Sequence, residues 1–208
     1  MKIRSLLASL VIGAGLTASS LFANSVTINY TGIDGGLSGG EFKAITSDNG
    51  TFLTFCLEEH VGVAYGTPYT YTIDGPNILL LGGKISQGTA WLYQAFRAGT
   101  LLDGSTNGVG SYFDANRYTS AGLLQQAFWD LEGQGTFSNY YVNLVTTQFG
   151  SLANAELDYT GTKVAVLNLW GPNHQDIQSQ LFLVPDGGVT TALLGLGLLS
   201  LALFRRKL

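Results

Sequence analysis

The sequence predicts an α+β fold. It reads as one β-rich domain, sandwich or barrel-like, with a helical insertion, an N-terminal signal peptide before it and a C-terminal transmembrane helix after it. Three observations lead there. Branched and aromatic residues alternate with polar ones at residues 26–30, 51–57, 69–73, 163–170 and 179–184, toward both ends of the chain. Residues 90–96, 120–132 and 139–149 lack that alternation, and each stretch is followed by a glycine within a few positions, as a helix would be. The 208 residues include 28 glycines, 12% charged and 12% aromatic side chains, a turn-rich and aromatic-packed composition unlike that of a disordered chain.

Taken in order, Lys2 and Arg4 precede an apolar run over 6–16 and small residues up to Ala23. This is the layout of a secretory signal peptide over 1–23, and the run is shorter than the roughly 20 residues a span requires. The extracellular domain then covers 24–183. After the first strand, Gly35, Gly36, Gly39 and Gly40 mark a loop. Asn49-Gly50 is a tight-turn pair feeding the strand at 51–57, where Phe52, Thr54 and Cys56 share one face and Leu53, Phe55 and Leu57 the other. Gly75 and Pro76 end the strand at 69–73. The second helix is capped by Thr119 or Ser120 and stopped by Gly133. The net charge of −4, with no basic patch in the domain, argues against nucleic acid as a partner.

Residues 184–208 differ in character. Val184, Pro185, Asp186, Gly187 and Gly188 precede an uncharged run over 189–204, and Arg205, Arg206 and Lys207 follow it. A run of this length spans a bilayer marginally, with the basic end cytoplasmic. Motif, apolar helix and basic cluster in this order resemble the PEP-CTERM sorting signal, in its VPDSG variant with Gly187 in place of serine. The resemblance implies export through a secretion translocon, transient membrane anchoring and recognition by an exosortase-type transpeptidase. It further implies removal of the tail and delivery to the cell surface or extracellular matrix of a Gram-negative-type bacterium.

Cys56 is the single cysteine. In an exported chain an unpaired cysteine points to an intermolecular bridge, a reactive thiol or some other partner. In the second helix, at about 100° per residue, Ala121, Leu124, Phe128 and Leu131 form an apolar stripe. Gln125 projects beside that stripe, between Phe128 and Trp129, and Gln126 lies further round with Asp130 on the wetter face. A glutamine at the edge of a core must find partners or be chemically altered.

Phe55-Cys56-Leu57-Glu58 and, further on, Gln125, Ala127 and Trp129 resemble the two elements of the thioester domains of bacterial surface adhesins. The second element there reads TQxAIW, and here Leu124 replaces its threonine and Phe128 its isoleucine. Gly66 and Pro68 match the loop after the first element, and Leu131-Glu132-Gly133 matches the continuation of the second in exosortase-sorted proteins. The resemblance implies a bond between Cys56 and Gln125, supported by Phe55, Glu58, Ala127 and Trp129. The Cys56 thiolate would attack the Gln125 carbonyl and release ammonia, with Glu58 or His60 as the base. An amine or hydroxyl on another surface would then open the thioester. This is single-use capture without turnover, so the chain is not expected to be an enzyme, and no cofactor is called for.

Other readings use the same residues. Cys56 is a small buried hydrophobe in the plainer one, and the protein is then a passive matrix component associated with an exopolysaccharide. Cys56 with His60 or His174, oriented by Asn173 or Asp176, has the residue types of a Cys–His hydrolase. Residues 103–114 follow the spacing of a calcium loop, although an Asp/Asn/Gly-rich turn accounts for them more simply. One cysteine and two scattered histidines supply no zinc site. Tyr65, Tyr69, Tyr71, Tyr140 and Tyr141 offer either a glycan-stacking surface or strand packing.

Overall fold

The computed structural model describes residues 24–36 and 39–185. The signal peptide over 1–23, Asp186, Gly187, Gly188, the apolar run and the basic cluster lie outside these residues. No helix among the described residues is long and apolar enough to cross a membrane.

The fold is α+β. Its strands are β1 (Ser25–Ile33), β2 (Glu41–Thr46), β3 (Thr51–Thr54), β4 (Pro68–Ile73), β5 (Asn77–Ile78), β6 (Gly83–Lys84), β7 (Val164–Trp170) and β8 (Asp176–Leu183). Four helices, α1 (Gln87–Arg97), α2 (Arg117–Leu131), α3 (Tyr140–Phe149) and α4 (Leu152–Ala155), fall between β6 and β7, so the helical part is an insertion. Six strands pair antiparallel in the order β3-β2-β1-β4-β7-β8, and β5 with β6 makes a separate small hairpin.

The sheet closes on itself. Past Thr54 the chain leaves β2 and pairs with β8: Leu57 N–H donates to Ser179 C=O at 3.1 Å and Leu181 N–H to Phe55 C=O at 3.1 Å. The Thr54 hydroxyl also reaches Leu181 C=O at 2.7 Å. This seam covers part of the two edges that β3 and β8 would otherwise expose. Cys56 lies on this seam, bridged to Gln180.

Period-two alternation sorts the side chains into two cores. Val26, Ile28, Phe42, Ala44, Phe52, Cys56, Tyr69, Tyr71, Ala165, Leu167 and Phe182 form one, which Trp129 of α2 also joins. Phe55, Leu57, Val164, Val166 and Leu181 point the other way, into a second core with the helices. The expected faces of the strand at 51–57 are therefore those observed. Phe128 is fully buried in the helical core, with its ring 5.2 Å from Phe55, which in turn lies 5.1 Å from Phe96. Phe128→Ala should lower stability by about 3–5 kcal/mol. Urea unfolding should show this as a lower midpoint at unchanged slope; a loss under about 1 kcal/mol would contradict the packing.

Local chemistry sets the helix ends. Ser86 caps α1, its hydroxyl accepting from Thr89 N–H at 3.0 Å, and Asn139 caps α3 through Tyr141 and Val142 N–H. Gly133, at φ +70°, follows α2 in the left-handed conformation that ends a helix. α2 starts earlier than expected, at Arg117, with no side-chain cap on Asn116. The wetter face expected for α2 needs correction. Asp130 is buried, its carboxylate accepting from Phe137 N–H at 3.2 Å, because the segment after α2 folds back over it.

Candidate functional site

The seam between the chain after β3 and β8 and the placement of α2 bring Cys56 and Gln125 together, 69 positions apart in sequence and both wholly buried. The Cys56 thiol lies 3.3 Å from Gln125 Oε1. The same oxygen accepts from Gly40 N–H at 3.1 Å and from Cys56 N–H at 3.3 Å. On its other side the carboxamide donates from Nε2 to Cys56 C=O at 2.9 Å. Two N–H donors on one atom and a carbonyl facing the other fix which way the carboxamide points. Donors converging on a carbonyl oxygen beside a sulfur nucleophile have the layout of an oxyanion hole.

Gly39 and Gly40 make this approach possible. A Cβ on Gly39 would fall 2.6 Å from the Trp129 ring and 3.0 Å from Gln125 Cγ, and one on Gly40 2.6 Å from Asp34 Cα. Further along the same connection, Gly35 packs backbone to backbone on Gly122 of α2, where a Cβ would meet Gly122 Cα at 2.5 Å. Only chains without Cβ atoms can lie this close to the helix that holds Gln125. These glycines were legible in the sequence only as loop punctuation. Their second role depends on where α2 lies.

Burial pushes the Cys56 thiol well up, and the Glu58 charge adds to this; the backbone N–H groups of Gly40 and Cys56 and the Trp129 indole N–H oppose it. The indole N–H is otherwise buried without a partner. Glu58 is itself buried. Its Oε2 accepts from Ser179 N–H at 2.6 Å, while Oε1 has no hydrogen-bond partner. Burial raises its pKa, outweighing the Ser179 hydrogen bonds. Phe55 and Ala127 are fully buried in the helical core, behind Cys56 and Gln125. Gln180, opposite Cys56 on the seam, and Ser179 had no signature in the sequence as site residues.

Other predicted constellations do not assemble. The His60 side chain is 85% exposed and pairs with Glu59, beside a surface depression of about 230 Å³, so it does not reach the buried thiol as a base. Asn173, His174 and Asp176 lie exposed at the β7–β8 turn, away from any triad with Cys56. Over 103–114, the Asp103 carboxylate is occupied by Ser105, Ser120 and Asn116. Burial would raise its pKa, but these hydrogen bonds outweigh it and hold it well below the usual carboxylate range. That is the chemistry of a capped turn. Among the tyrosines, Tyr69, Tyr71 and Tyr141 are packed inside, Tyr140 is half-buried and Tyr65 is exposed.

Glu132, at the end of α2, accepts from Ser86 N–H at 3.0 Å. Burial pushes it up to about 7, against the hydrogen bond from Ser86, with the Glu58 charge adding to the rise. The folded chain thus holds this proton more tightly than an unfolded chain titrating near 4.5. Its contribution to stability is complete below that value and is lost as pH rises through 7. Glu132→Gln keeps the acceptor for Ser86 and removes the titration. Thermal melts at several pH values should show a flatter stability profile for the variant across this window, by on the order of 2 kcal/mol. Parallel profiles would refute it.

A comparison with protein-family models finds no match, and comparisons with curated proteins and with solved structures find none either.

Proposed function

We propose that this chain is an exported surface or biofilm-matrix protein that attaches covalently to a target through an internal Cys56–Gln125 thioester. The observation that carries the reading is the clasp on Gln125: Oε1 held by Gly40 and Cys56 N–H, with the Cys56 sulfur 3.3 Å away. In forming the bond, the sulfur attacks Gln125 Cδ and the carbonyl oxygen gains charge between the two N–H donors. The C–N bond then breaks. The thiol proton leaves with the amide nitrogen, so that thiol and carboxamide become thioester and ammonia. Glu58, whose Oε1 is buried without a hydrogen-bond partner and whose charge helps raise the thiol, is the group to carry that proton.

The raised thiol pKa has two consequences. Little thiolate exists at neutral pH, so the step relies on proximity and on the clasp rather than on a pre-ionised sulfur. A thiol of high pKa is also a slow leaving group, which together with burial protects the finished bond from water. Intact mass of the purified mature domain tests the reading. It should be lower than the sequence mass by one ammonia, and methylamine should then add to it. Full sequence mass with an alkylatable Cys56 would favour the passive matrix protein instead.

The motif beginning at Val184 and Pro185 and continuing through Asp186, Gly187 and Gly188 supports sorting by an exosortase-type transpeptidase after translocation. Removing the residues after Leu183 should send the protein from the cell surface to the medium or periplasm. Unchanged location would argue against this sorting.

A further inference from the structure

Arg97 carries a charge that no carboxylate among the described residues balances; the ion pairs there are Arg117–Glu41 and His60–Glu59. It stands in the last turn of α1. Its Nη1 donates to Leu53 C=O at 3.3 Å and to the Tyr93 hydroxyl at 3.2 Å. The guanidinium carbon lies 5.5 Å from the centre of the Phe52 ring and 5.9 Å from that of Tyr93. These contacts fix the plane of the group but use only Nη1, so Nε and Nη2 keep their hydrogens free of acceptors among the described residues. The carbonyls at the end of α1 do not claim them. Gln94, Ala95 and Phe96 C=O accept instead from Ala98, Thr100 and Gly99 N–H.

Arg97 lines a surface depression of about 300 Å³ together with Gln94, Lys163, Leu183, Val184 and Pro185. No aspartate or glutamate among the described residues lines it. The other Lys and Arg side chains of the described residues are Lys43, Lys84 and Arg117, and Arg117 is committed to Glu41. In a chain of net charge −4, Arg97 and Lys163 thus share one small depression with no acidic neighbour in its lining. Folding does not explain the arrangement, since like charges gathered without a counter-charge repel each other. Lys163 C=O also accepts from Val184 N–H at 2.9 Å, which holds the apolar segment 183–185 beside the two cations.

We propose that this depression binds a carboxylate-bearing sugar, a uronate unit of an acidic polysaccharide. A guanidinium with Nε and Nη2 both free takes the two oxygens of a carboxylate in parallel, and Lys163 adds a second positive charge. Leu183, Val184 and Pro185 supply an apolar wall for the C–H face of a sugar ring. Gln94 Nε2 is committed to Ala90 C=O at 3.1 Å, which leaves Gln94 Oε1 to accept from a ring hydroxyl. A depression of about 300 Å³ holds one sugar unit, and its place on the surface lets the polymer continue past it. A bare phosphate would answer the charge and leave the apolar wall and Gln94 unused. Neither Cys56 nor Gln125 belongs to the lining, so the site stands whether or not the thioester forms.

The test is native electrophoresis of the full chain, kept in a neutral detergent, through gels containing polygalacturonate, dextran or polyphosphate. Polygalacturonate should retard the unsubstituted protein despite its negative charge, and dextran should not. Arg97→Gln should weaken that retention by about tenfold, Lys163→Gln should weaken it several-fold, and added salt should weaken it further. Lys84→Gln makes the same change of charge elsewhere and should leave retention as it was. Arg97 also holds Leu53 and Tyr93, so if Arg97→Gln does not fold, the exposed Lys163 decides. Free migration of the unsubstituted protein through polygalacturonate would overturn the site, as would equal effects of Lys163→Gln and Lys84→Gln. Equal retention by polyphosphate, lost in the same variants, would overturn the sugar and leave a bare anion as the ligand. Retention seen only in Asp186→Asn would assign the depression to the chain's own carboxylate and overturn the proposal as well.

Discussion

Opening the Cys56–Gln125 bond with methylamine should lower the stability of the domain by about 4 kcal/mol, since the crosslink closes a loop of 69 positions in the unfolded chain. In a domain of this size the melting temperature should fall by on the order of 10 °C. Methylamine leaves every side chain in place apart from the amide it forms, so the change reports on the crosslink itself. Cys56→Ala and Gln125→Ala should each restore the full sequence mass, abolish methylamine uptake and unfold at correspondingly lower temperature. Gln126→Ala should do none of these, because Gln126 is only partly buried and takes no part in the clasp. A melting temperature unmoved by methylamine, or an ammonia deficit that depends on Gln126, would refute the assignment.

Arg117→Met should cost about 3–5 kcal/mol at neutral pH, because it strands Glu41 as a buried carboxylate. Glu41 is 1% exposed, and the guanidinium holds both of its oxygens, with Nε to Oε2 at 3.0 Å; the Tyr112 hydroxyl adds a bond at 3.2 Å. Even so, burial outweighs these partners and Glu41 titrates above its ordinary value. Removing Arg117 raises it further. Stability in the variant is then greatest where Glu41 is protonated and falls as pH rises through its folded pKa, so the cost should shrink as pH falls toward the ordinary carboxyl value of 4.5. The double variant Glu41→Gln/Arg117→Met should recover most of the loss at neutral pH. A loss of the same size at acid and neutral pH would show that packing, not the charge, is responsible. The pair also has a functional side. Glu41 directly follows Gly40, and Arg117 lies on the helix carrying Gln125, so the ion pair fastens the N–H donor to the glutamine it holds. Arg117→Met should therefore also slow the appearance of the ammonia deficit after refolding.

How legible each part was follows from the range of the interactions behind it. α1 and α3 show their caps and stops within a few residues, Ser86 and Gly99 for the first and Asn139 and Gly150 for the second, and they form close to where they were expected. β2 was missed. Glu41 and Lys43 put charge into it and Ala44 has weak strand preference, so its pattern resembles a loop until β1 and β3 pair on either side. Asp130 was misplaced because helical periodicity describes one helix against one core, whereas α2 is buried nearly all round by the barrel, the other helices and the segment after it.

Composition, alternation and periodicity were enough to determine an α+β domain with a helical insertion, a buried face for Cys56 and a Gln125 at the edge of an apolar stripe. These rest on contacts between neighbours a few positions apart, which a sequence displays directly. Only the tertiary structure decided that the strand bearing Cys56 leaves β2 to close the sheet against β8. It likewise sets Gly40 over Gln125. Those contacts join residues dozens of positions apart through backbone groups that every residue carries, and a backbone N–H leaves no mark in a sequence until the fold gives it a direction.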